Sequence, residues 1–313
     1  MSRTAYYWDS ISLEHDTGEH AESIARAEQM RPDNMRTMVP ELDAREVVAH
    51  DAPQWILEVH AEEYHAWVKE SCASGRKLLD HGDTVISSKS YEAALKSVDA
   101  LLTAADAVMN GEVDNAFSAM RPPGHHALPS RAMGFCLFSN VAILARYLEA
   151  KYRVGRIAIV DWDVHHGNGT QSSFEHTNEV FFCSIHQANL YPGTGYSSEA
   201  GKGSGQGYTA NFPLPSGSGD EEYLSLLRNE IIPRLHDYKP EFLIISAGFD
   251  AHDEDPLASM RLSTSCYSEM TLSLRDAMQK HNGGRILSVL EGGYHLGHLA
   301  ESVFAHLQAL IKQ

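Results

Sequence analysis

The sequence predicts an α/β protein built on a mainly parallel sheet. Short apolar and β-branched runs alternate along the chain with longer stretches of helical periodicity, which is typical of βαβ units. No linker, low-complexity tract or internal repeat divides the 313 residues. Because parallel strands need crossover connections, we expect helices on both faces of the sheet and a single domain over residues 1–313.

The predicted strands are five runs in which apolar residues dominate. They cover residues 115–120, 156–163, 180–185, 242–248 and 285–293. The predicted helices lie at about residues 90–110, 139–151, 220–237, 264–281 and 296–311. The first 80 residues are predicted to be mostly helix and loop, and the stretch 195–208, rich in Gly and Ser, to be a long loop.

Composition limits the class of protein. No apolar run reaches membrane-spanning length and the N-terminus lacks the regions of a signal peptide, so we expect a cytoplasmic protein without a membrane partner. The chain has 42 acidic residues against 25 Lys and Arg, and its net charge of -17 disfavours nucleic acid and favours cationic ligands. Acidity that only aids solubility would explain the same charge. Four scattered cysteines without CxxC spacing predict reduced core thiols.

Charged residues follow two of the predicted strands. Asp161, Asp163 and His165 stand at alternate positions after an apolar run, and Asp250 follows another run. If the chain stays extended beyond the first run, these three alternate side chains share one face. In an open α/β sheet the ligand site lies beyond the carboxyl ends of the strands. Two carboxylates and an imidazole can hold a divalent ion and leave one position open for water.

A single Asp after a strand is usually a turn former or a helix N-cap. Several charges against one apolar edge are harder to explain in this way, because each would cost several kcal/mol without a counter-ion. The sequence therefore predicts a catalytic metal site at this edge of the sheet.

Two further stretches carry groups suited to catalysis. His125 and His126 follow the first predicted strand, and Tyr294 follows the last one in the stretch LEGGY. Histidine titrates near neutral pH, and a tyrosine hydroxyl can donate a hydrogen bond to a developing oxyanion. Each residue taken singly is more often structural. Together with a metal and its water they would form a site for amide hydrolysis.

Six motifs, which span about residues 110 to 295, closely resemble the histone deacetylase family. They are RPPGHHA, MGFCLFSNVA, DWDVHHGNGTQ, YPGTG, SAGFDAHDEDPL and EGGY. The similarity is greatest to class II members and to bacterial histone deacetylase-like and acetylpolyamine amidohydrolases. It implies the arginase-deacetylase fold, with a central eight-stranded parallel sheet flanked by helices. It also implies zinc-dependent hydrolysis of the amide of an acylated lysine or a related acyl-amine.

The resemblance also implies roles for individual residues. One zinc ion would be held by Asp163, His165 and Asp250. The catalytic set would comprise an acid-base pair, its partners and an oxyanion donor: His125, His126, Asp161, Asn168 and Tyr294. Which of the two histidines takes the first proton stays open.

Structural potassium ions and a substrate tunnel are implied as well. A first potassium would contact Asp161, Asp163, His165, Ser184 and Ile185, and a second the main-chain carbonyls of Phe174, Thr177, Val180 and Tyr208. The walls of the acyl-lysine tunnel would be Gly134, Phe135, Tyr191 and Leu257. Asp83 is a candidate acid at the tunnel rim.

Three alternatives bear on this interpretation. An acetylpolyamine amidohydrolase is disfavoured by Leu257, which stands where the polyamine-selective class II enzyme has a glutamate, yet it stays open. A two-manganese ureohydrolase would need a carboxylate two residues beyond Asp250, where His252 stands instead. An inactive acyl-lysine-binding module would be expected to have lost a ligand, a paired histidine or Tyr294. The physiological substrate, the acyl length and a homo-oligomeric state stay open.

Overall fold

A sheet of eight strands, all parallel, forms the centre of the fold. The structure of the protein, a computed structural model, describes residues 2–80 and 82–312, and Met1, His81 and Gln313 lie outside the described residues. The strands are β1 Thr4–Tyr7, β2 Asp43–Arg45, β3 Asn115–Ser118, β4 Ile157–Asp161, β5 Val180–Gln187, β6 Thr209–Leu214, β7 Phe242–Ala247 and β8 Ile286–Leu290. Their order across the sheet is β2-β1-β3-β8-β7-β4-β5-β6.

Helices connect the strands and confirm the five predicted from periodicity. They are α1 Ile24–Gln29, α2 Pro32–Arg36, α3 Ala52–Ile56, α4 Glu62–Ala73, α5 Ser90–Met109, α6 Asn140–Tyr152, α7 Asn168–Phe174, α8 Asp220–Leu226, α9 Ile232–Tyr238, α10 Thr264–Asn282 and α11 Leu296–Ile311. A π-helical segment, Leu227–Ile231, joins α8 to α9, so that the predicted helix 220–237 is one continuous helical stretch.

Both faces of the sheet are buried. Along β4, Ile157 and Ile159 pack into the core beneath α4, α5 and α6, whereas Ala158 and Val160 pack beneath α2 and α8 to α11. Successive side chains of a strand point to opposite faces, so a strand covered on both sides is apolar throughout. This explains why the sequence shows the central strands as continuous apolar runs.

Three strands were not predicted, and two of them lie in the first 80 residues, which were expected to be mostly helix and loop. That segment contains α1 to α4 but also β1 and β2. β1 has four residues and β2 has three, which is too short for a periodic pattern to stand out. β2 and β6 are edge strands with partly exposed residues, so fewer of their positions need apolar side chains.

Two predictions from composition bear on the described part of the chain. All four cysteines are buried and free, as predicted. Within residues 2–80 and 82–312, no helix is both long and apolar enough to cross a bilayer. A single domain over residues 1–313 stays a prediction.

A fully buried ion network ties the N-terminal segment to the end of β3. The Glu22 carboxylate accepts hydrogen bonds from Arg26 Nη1 at 3.0 Å and Arg121 Nη2 at 2.6 Å. Arg121 Nη1 also donates to the carbonyls of Ser12 and His15. Burial alone would raise the pKa of Glu22, but the Arg121 charge and the bonds it receives hold that pKa well below its usual value. The carboxylate is therefore ionised and paired in the core.

We expect Arg121→Met to lower the free energy of unfolding by about 3 to 5 kcal/mol, because it leaves a buried carboxylate with one cation fewer. Urea denaturation followed by circular dichroism measures this change. The matched control is Arg3→Met, which breaks the exposed pair of Arg3 with Asp114 and should cost about 0 to 1 kcal/mol. Equal effects of the two substitutions would contradict a structural role for the buried network.

Candidate active site

The candidate site lies where the four central strands of the sheet end. β3, β8, β7 and β4 are neighbours in that order, and their parallel arrangement brings their carboxyl ends to one edge. The segments that follow these strands carry the charged and polar groups predicted from the sequence. Sheet order therefore brings together residues that are far apart in the chain.

Three of these residues form a buried cluster. The potential ligand atoms of Asp163, His165 and Asp250 lie within 4.8 Å of one another, and all three residues are buried. His165 Nδ1 is 3.1 Å from Asp163 Oδ1 and 3.2 Å from Asp250 Oδ2. Across the described residues, no other group of three His, Cys, Asp or Glu side chains meets this condition. The side chains predicted to bind metal are thus adjacent.

Backbone amides hold both carboxylates in place. Asp163 Oδ2 accepts a hydrogen bond from Gly292 N at 2.8 Å, and Asp250 Oδ1 accepts one from Val164 N at 2.9 Å. A Cβ atom on Gly292 would overlap Asp250 Oδ2. Only glycine therefore lets the loop after β8 approach the carboxylates this closely.

Asp161 lies apart from this cluster. β4 ends at Asp161, so the expectation that three alternate residues would share one extended face does not describe the chain beyond it. Asp161 Oδ1 accepts a hydrogen bond from Asp163 N at 3.1 Å, and its Oδ2 lies 3.0 Å from His125 Nδ1. The contact with His125 is the one that the family resemblance implies.

The donor set of the cluster fits a divalent cation. Burial, together with the charge of Asp163, raises the pKa of Asp250 to about 7. Two carboxylates this close and this deeply buried lack a full positive counter-charge, which a cation between them would provide. Two carboxylate oxygens and one imidazole nitrogen are ligands that suit zinc and leave room for water.

The two histidines after β3 lie side by side with different partners. Their ring centres are 3.9 Å apart. His125 Nδ1 faces the Asp161 carboxylate, and His126 Nδ1 lies 2.7 Å from Asn168 Oδ1. Since carboxylate and amide oxygens are acceptors, both histidines carry the proton on Nδ1, and Nε2 is left for chemistry.

The surroundings shift the pKa values of the pair in opposite directions. Burial would lower the pKa of His125, but the Asp163 and Asp161 carboxylates hold it well above its ordinary value. Burial and the neighbouring His125 and His165 lower the pKa of His126 well below its ordinary value. Two neighbouring groups with pKa values shifted apart are typical of an acid-base pair.

A cavity of about 230 Å³ opens onto these groups. It is lined by Asp83, His126, Gly134, Phe135, His165, Leu190, Tyr191, Leu257 and Tyr294. All four residues predicted for the tunnel walls therefore line one cavity with Tyr294, one histidine of the pair and one of the potential ligands. Two larger clefts, of about 600 and 640 Å³, are lined by none of these residues.

Aromatic rings shape the walls of this cavity. The Phe135 and Tyr294 rings meet edge to face with centres 5.9 Å apart, and the Tyr191 and His126 rings do so at 5.1 Å. Burial raises the pKa of Tyr294 well above its usual value, so its hydroxyl keeps its proton at neutral pH. The cavity therefore combines aromatic and aliphatic walls with a hydrogen-bond donor, the Tyr294 hydroxyl.

Comparison with known proteins agrees with this geometry. Residues 20–310 match the family described as the histone deacetylase domain. The chain belongs to the histone deacetylase family. It is 37% identical over 312 residues to the histone deacetylase-like amidohydrolase of Pseudomonas aeruginosa, covering 93% of this chain and 82% of that protein. It is 46% identical over 239 residues to a probable deacetylase of Archaeoglobus fulgidus, covering 76% of this chain and 66% of that protein.

A solved structure confirms the fold of this family member. The crystal structure of the HDA15 HD domain superposes with a TM-score of 0.90 at 33% identity, covering 99% of this chain and 89% of that one. The predicted arginase-deacetylase fold, with its eight parallel strands, is thereby confirmed.

The residues that the resemblance assigns to potassium lie in two places. Ser184 pairs with Asp161 across β4 and β5, and both Ser184 and Ile185 are buried. The second set surrounds the turn between α7 and β5 and the start of β6: Phe174, Thr177, Val180 and Tyr208. The Tyr208 carbonyl accepts a hydrogen bond from Phe182 N at 2.9 Å.

Residues not predicted from the sequence of this deacetylase-family chain also position the site. Asp255 Oδ2 accepts a hydrogen bond from Tyr294 N at 2.7 Å, and its Oδ1 accepts one from Leu257 N at 3.0 Å. Arg26 lies over the Tyr294 ring, 5.0 Å from its centre, and Leu190 adds to the cavity wall. The sequence feature that could have identified Asp255 is its place in the motif SAGFDAHDEDPL, which also carries Asp250.

We expect Asp250→Ala and His165→Ala to lose metal from this site, because two remaining ligands compete poorly with water. Elemental analysis of the purified proteins should find one zinc per chain in the wild type and none bound stoichiometrically in these variants. Asp83→Asn, which changes an acid of the same cavity outside the cluster, should retain the metal. Two manganese ions per chain would instead indicate the ureohydrolase chemistry.

Proposed function

We propose that the protein is a zinc-dependent deacetylase that hydrolyses the amide of acetylated or otherwise acylated lysine, or of a related acyl-amine. The observation that carries this proposal is the convergence of an Asp-His-Asp cluster, a histidine pair and the Tyr294 side chain at one narrow cavity. Metal-assisted hydrolysis needs a metal site, a proton carrier and an oxyanion donor, and the three occur together here.

In this proposal Asp163, His165 and Asp250 hold the zinc ion. When bound, zinc would lower the pKa of a water molecule and polarise the substrate carbonyl. The hydrogen bonds from Gly292 N and Val164 N restrain the two carboxylates and so keep the ligand set in place for this purpose.

The histidine pair moves the protons. Asp161 and Asn168 fix the two rings and their tautomers, so that each Nε2 can exchange a proton. During hydrolysis the pair accepts a proton from the attacking water and returns one to the nitrogen of the leaving amine. Asp161 also stabilises positive charge on His125, because its carboxylate lies against that ring.

Tyr294 would stabilise the oxyanion. Its hydroxyl remains protonated because burial raises its pKa, so it can donate a hydrogen bond to the carbonyl oxygen as negative charge develops there. Asp255 and Arg26 restrain the backbone and the ring of Tyr294. A donor fixed before the reaction does not need to reorganise during it.

The cavity supports an acyl-lysine as the substrate. Its walls at Gly134, Phe135 and Leu257 are apolar, and a narrow aromatic passage suits an unbranched aliphatic chain. An acylated lysine carries such a chain and has lost its positive charge. The name of the Pseudomonas aeruginosa relative, an amidohydrolase, agrees with this reaction class.

A second candidate function is acetylpolyamine hydrolysis, which is favoured by the presence of Asp83 in the cavity lining. Asp83 lines the same cavity and is half-buried. A carboxylate at a tunnel mouth can pair with the internal ammonium group of a polyamine. However, Leu257 adds no charge to the cavity, and burial and the neighbouring Asp80 raise the pKa of Asp83.

The potassium ions implied by the resemblance belong to the same proposal. The buried Ser184 and Ile185 beside Asp161 would contribute to the first, and the turn after α7 to the second. Their proposed role is structural. Asp161 at the end of β4 and Ser184 in β5 belong to the first set, and they adjoin the segment that carries Asp163 and His165.

We expect Tyr294→Phe to lower kcat on an acetyl-lysine peptide by about a hundredfold to a thousandfold, which is the usual effect of losing one oxyanion donor. Acetate release measures turnover, and elemental analysis should show unchanged zinc. The matched control is Tyr196→Phe, which removes the hydroxyl of an exposed tyrosine outside the cavity lining. Near-normal turnover by the Tyr294 variant would refute the proposed role.

Substrate preference separates the two candidate functions. We expect kcat/KM for N8-acetylspermidine to exceed that for a fluorogenic acetyl-lysine substrate by less than about a hundredfold, or about 2.7 kcal/mol of transition-state discrimination. A larger preference would favour the polyamine function. In that case Asp83→Asn should reduce the preference, since it removes the carboxylate while keeping the shape of the side chain.

A further inference from the structure

Glu291 is a buried carboxylate with no role in the proposed reaction. It follows β8, and its side chain is fully buried. Its Oε2 accepts hydrogen bonds from Gly124 N at 2.7 Å and from His125 N at 3.1 Å. Its Oε1 lies 3.3 Å from Ser246 Oγ, which can donate to it. The carboxylate therefore crosses from the end of one strand to the loop that carries the histidine pair.

The histidine loop has little freedom on its other sides. A Cβ atom on Gly124 would lie 2.5 Å from Asn140 N, so this part of the loop is packed directly against the start of α6. The His125 carbonyl accepts hydrogen bonds from Gly169 N at 3.0 Å and Thr170 N at 3.2 Å, at the start of α7. Glu291 holds the face of the loop that presents its backbone N–H groups.

The same residue is anchored at the base of the Tyr294 loop. Glu291 N donates to the Ala247 carbonyl at 3.1 Å, and the Glu291 carbonyl accepts from Arg26 Nη2 at 2.5 Å. Tyr294 follows three residues later, and the Arg26 side chain that holds Glu291 also covers the Tyr294 ring. One residue thus touches the supports of both the proton carriers and the oxyanion donor.

We infer that Glu291 is a positioning residue that fixes the His125 and His126 pair relative to Tyr294 through hydrogen bonds to the backbone of the histidine loop. This inference rests on the proposed deacetylase function. Proton transfer and oxyanion stabilisation must act on the same amide, so the distance between the two groups determines the rate. Glu291 acts through that distance and touches no reacting atom.

Hydrogen-bond acceptance, rather than negative charge, accounts for this role. One oxygen receives both backbone N–H groups, and the amide oxygen of a glutamine can do the same. The glutamine NH₂ would then face Ser246 Oγ, which is able to accept. Burial raises the pKa of Glu291 to about 7 in spite of the neighbouring His125.

The experiment compares Glu291→Gln with Glu291→Leu. Leucine has a similar size but accepts no hydrogen bond, so it leaves two buried N–H groups unpaired. We expect Glu291→Leu to lower kcat for an acetyl-lysine peptide by about a hundredfold, the typical effect of a misplacement of about 1 Å, with KM within about threefold of the wild type. Glu291→Gln should keep kcat within about threefold. Ser246→Ala, which removes the partner of the other oxygen only, is the control.

Two measurements separate positioning from general damage. Zinc content should be the same in all variants. Nitrogen-15 NMR of the imidazole groups should show unchanged signals for His125 and His126 in Glu291→Gln and displaced signals in Glu291→Leu. If the leucine variant does not fold, Glu291→Asp replaces it, because the shortened side chain cannot reach both N–H groups and should show the same loss of kcat.

The outcomes distinguish this inference from the proposed function. A wild-type protein without turnover refutes the deacetylase proposal, whereas the NMR comparison still reports on the position of the histidines. Wild-type kcat and unchanged imidazole signals in Glu291→Leu or Glu291→Asp would overturn the positioning role. Equal impairment of Glu291→Gln and Glu291→Leu would overturn it as well, since it would show that charge is the essential property.

Discussion

The parallel order of the four central strands is the constraint on which the site depends. Four loops begin at one edge of the sheet, because the strands that precede them are parallel neighbours: β3, β8, β7 and β4. Each loop supplies one part of the proposed chemistry: the histidine pair, the Tyr294 donor, Asp250, and the pair of Asp163 and His165. A different strand order with the same loops would separate these parts.

A group of four buried carboxyl groups is the second organising feature. Asp161, Asp163, Asp250 and Glu291 are all almost fully buried at this edge, and together they would be unstable without partners. Each accepts at least one backbone N–H, and imidazole nitrogens face three of them. Backbone donors fix the four carboxyl groups, and those of Asp163 and Asp250 lie together with His165 where a cation would face all three. The result is a pocket whose geometry is determined by the protein and whose charge favours a cation.

The sequence predicts the parts of the fold and site where burial leaves a strong pattern. β4 and β7 are covered on both faces, so each appears as an apolar run, and Asp163, His165 and Asp250 after them are conspicuous for that reason. The partners of the histidine pair came from the family resemblance, because spacing alone does not show which loops meet. β1 and β2 are too short for periodicity, and β6 is an edge strand. In the sequence, Asp255 and Glu291 resemble ordinary acidic loop residues. What distinguishes them is that they accept hydrogen bonds from backbone N–H groups of loops distant in the sequence.

The cavity also gives a physical reason for the release of product under the proposed function. The substrate enters as a neutral amide, and its alkyl chain lies against Phe135 and Leu257 with little loss of polar solvation. Hydrolysis leaves an amine at the end of the same chain, and this amine becomes an ammonium group at neutral pH. Burial of an ammonium group without a partner costs far more free energy than burial of the amide. The wall at Phe135 and Leu257 supplies no counter-charge for the ammonium group, and Asp83 on the same cavity is itself half-buried. The apolar wall that accepts the acylated chain therefore disfavours the free amine, and turnover and release depend on the same residues.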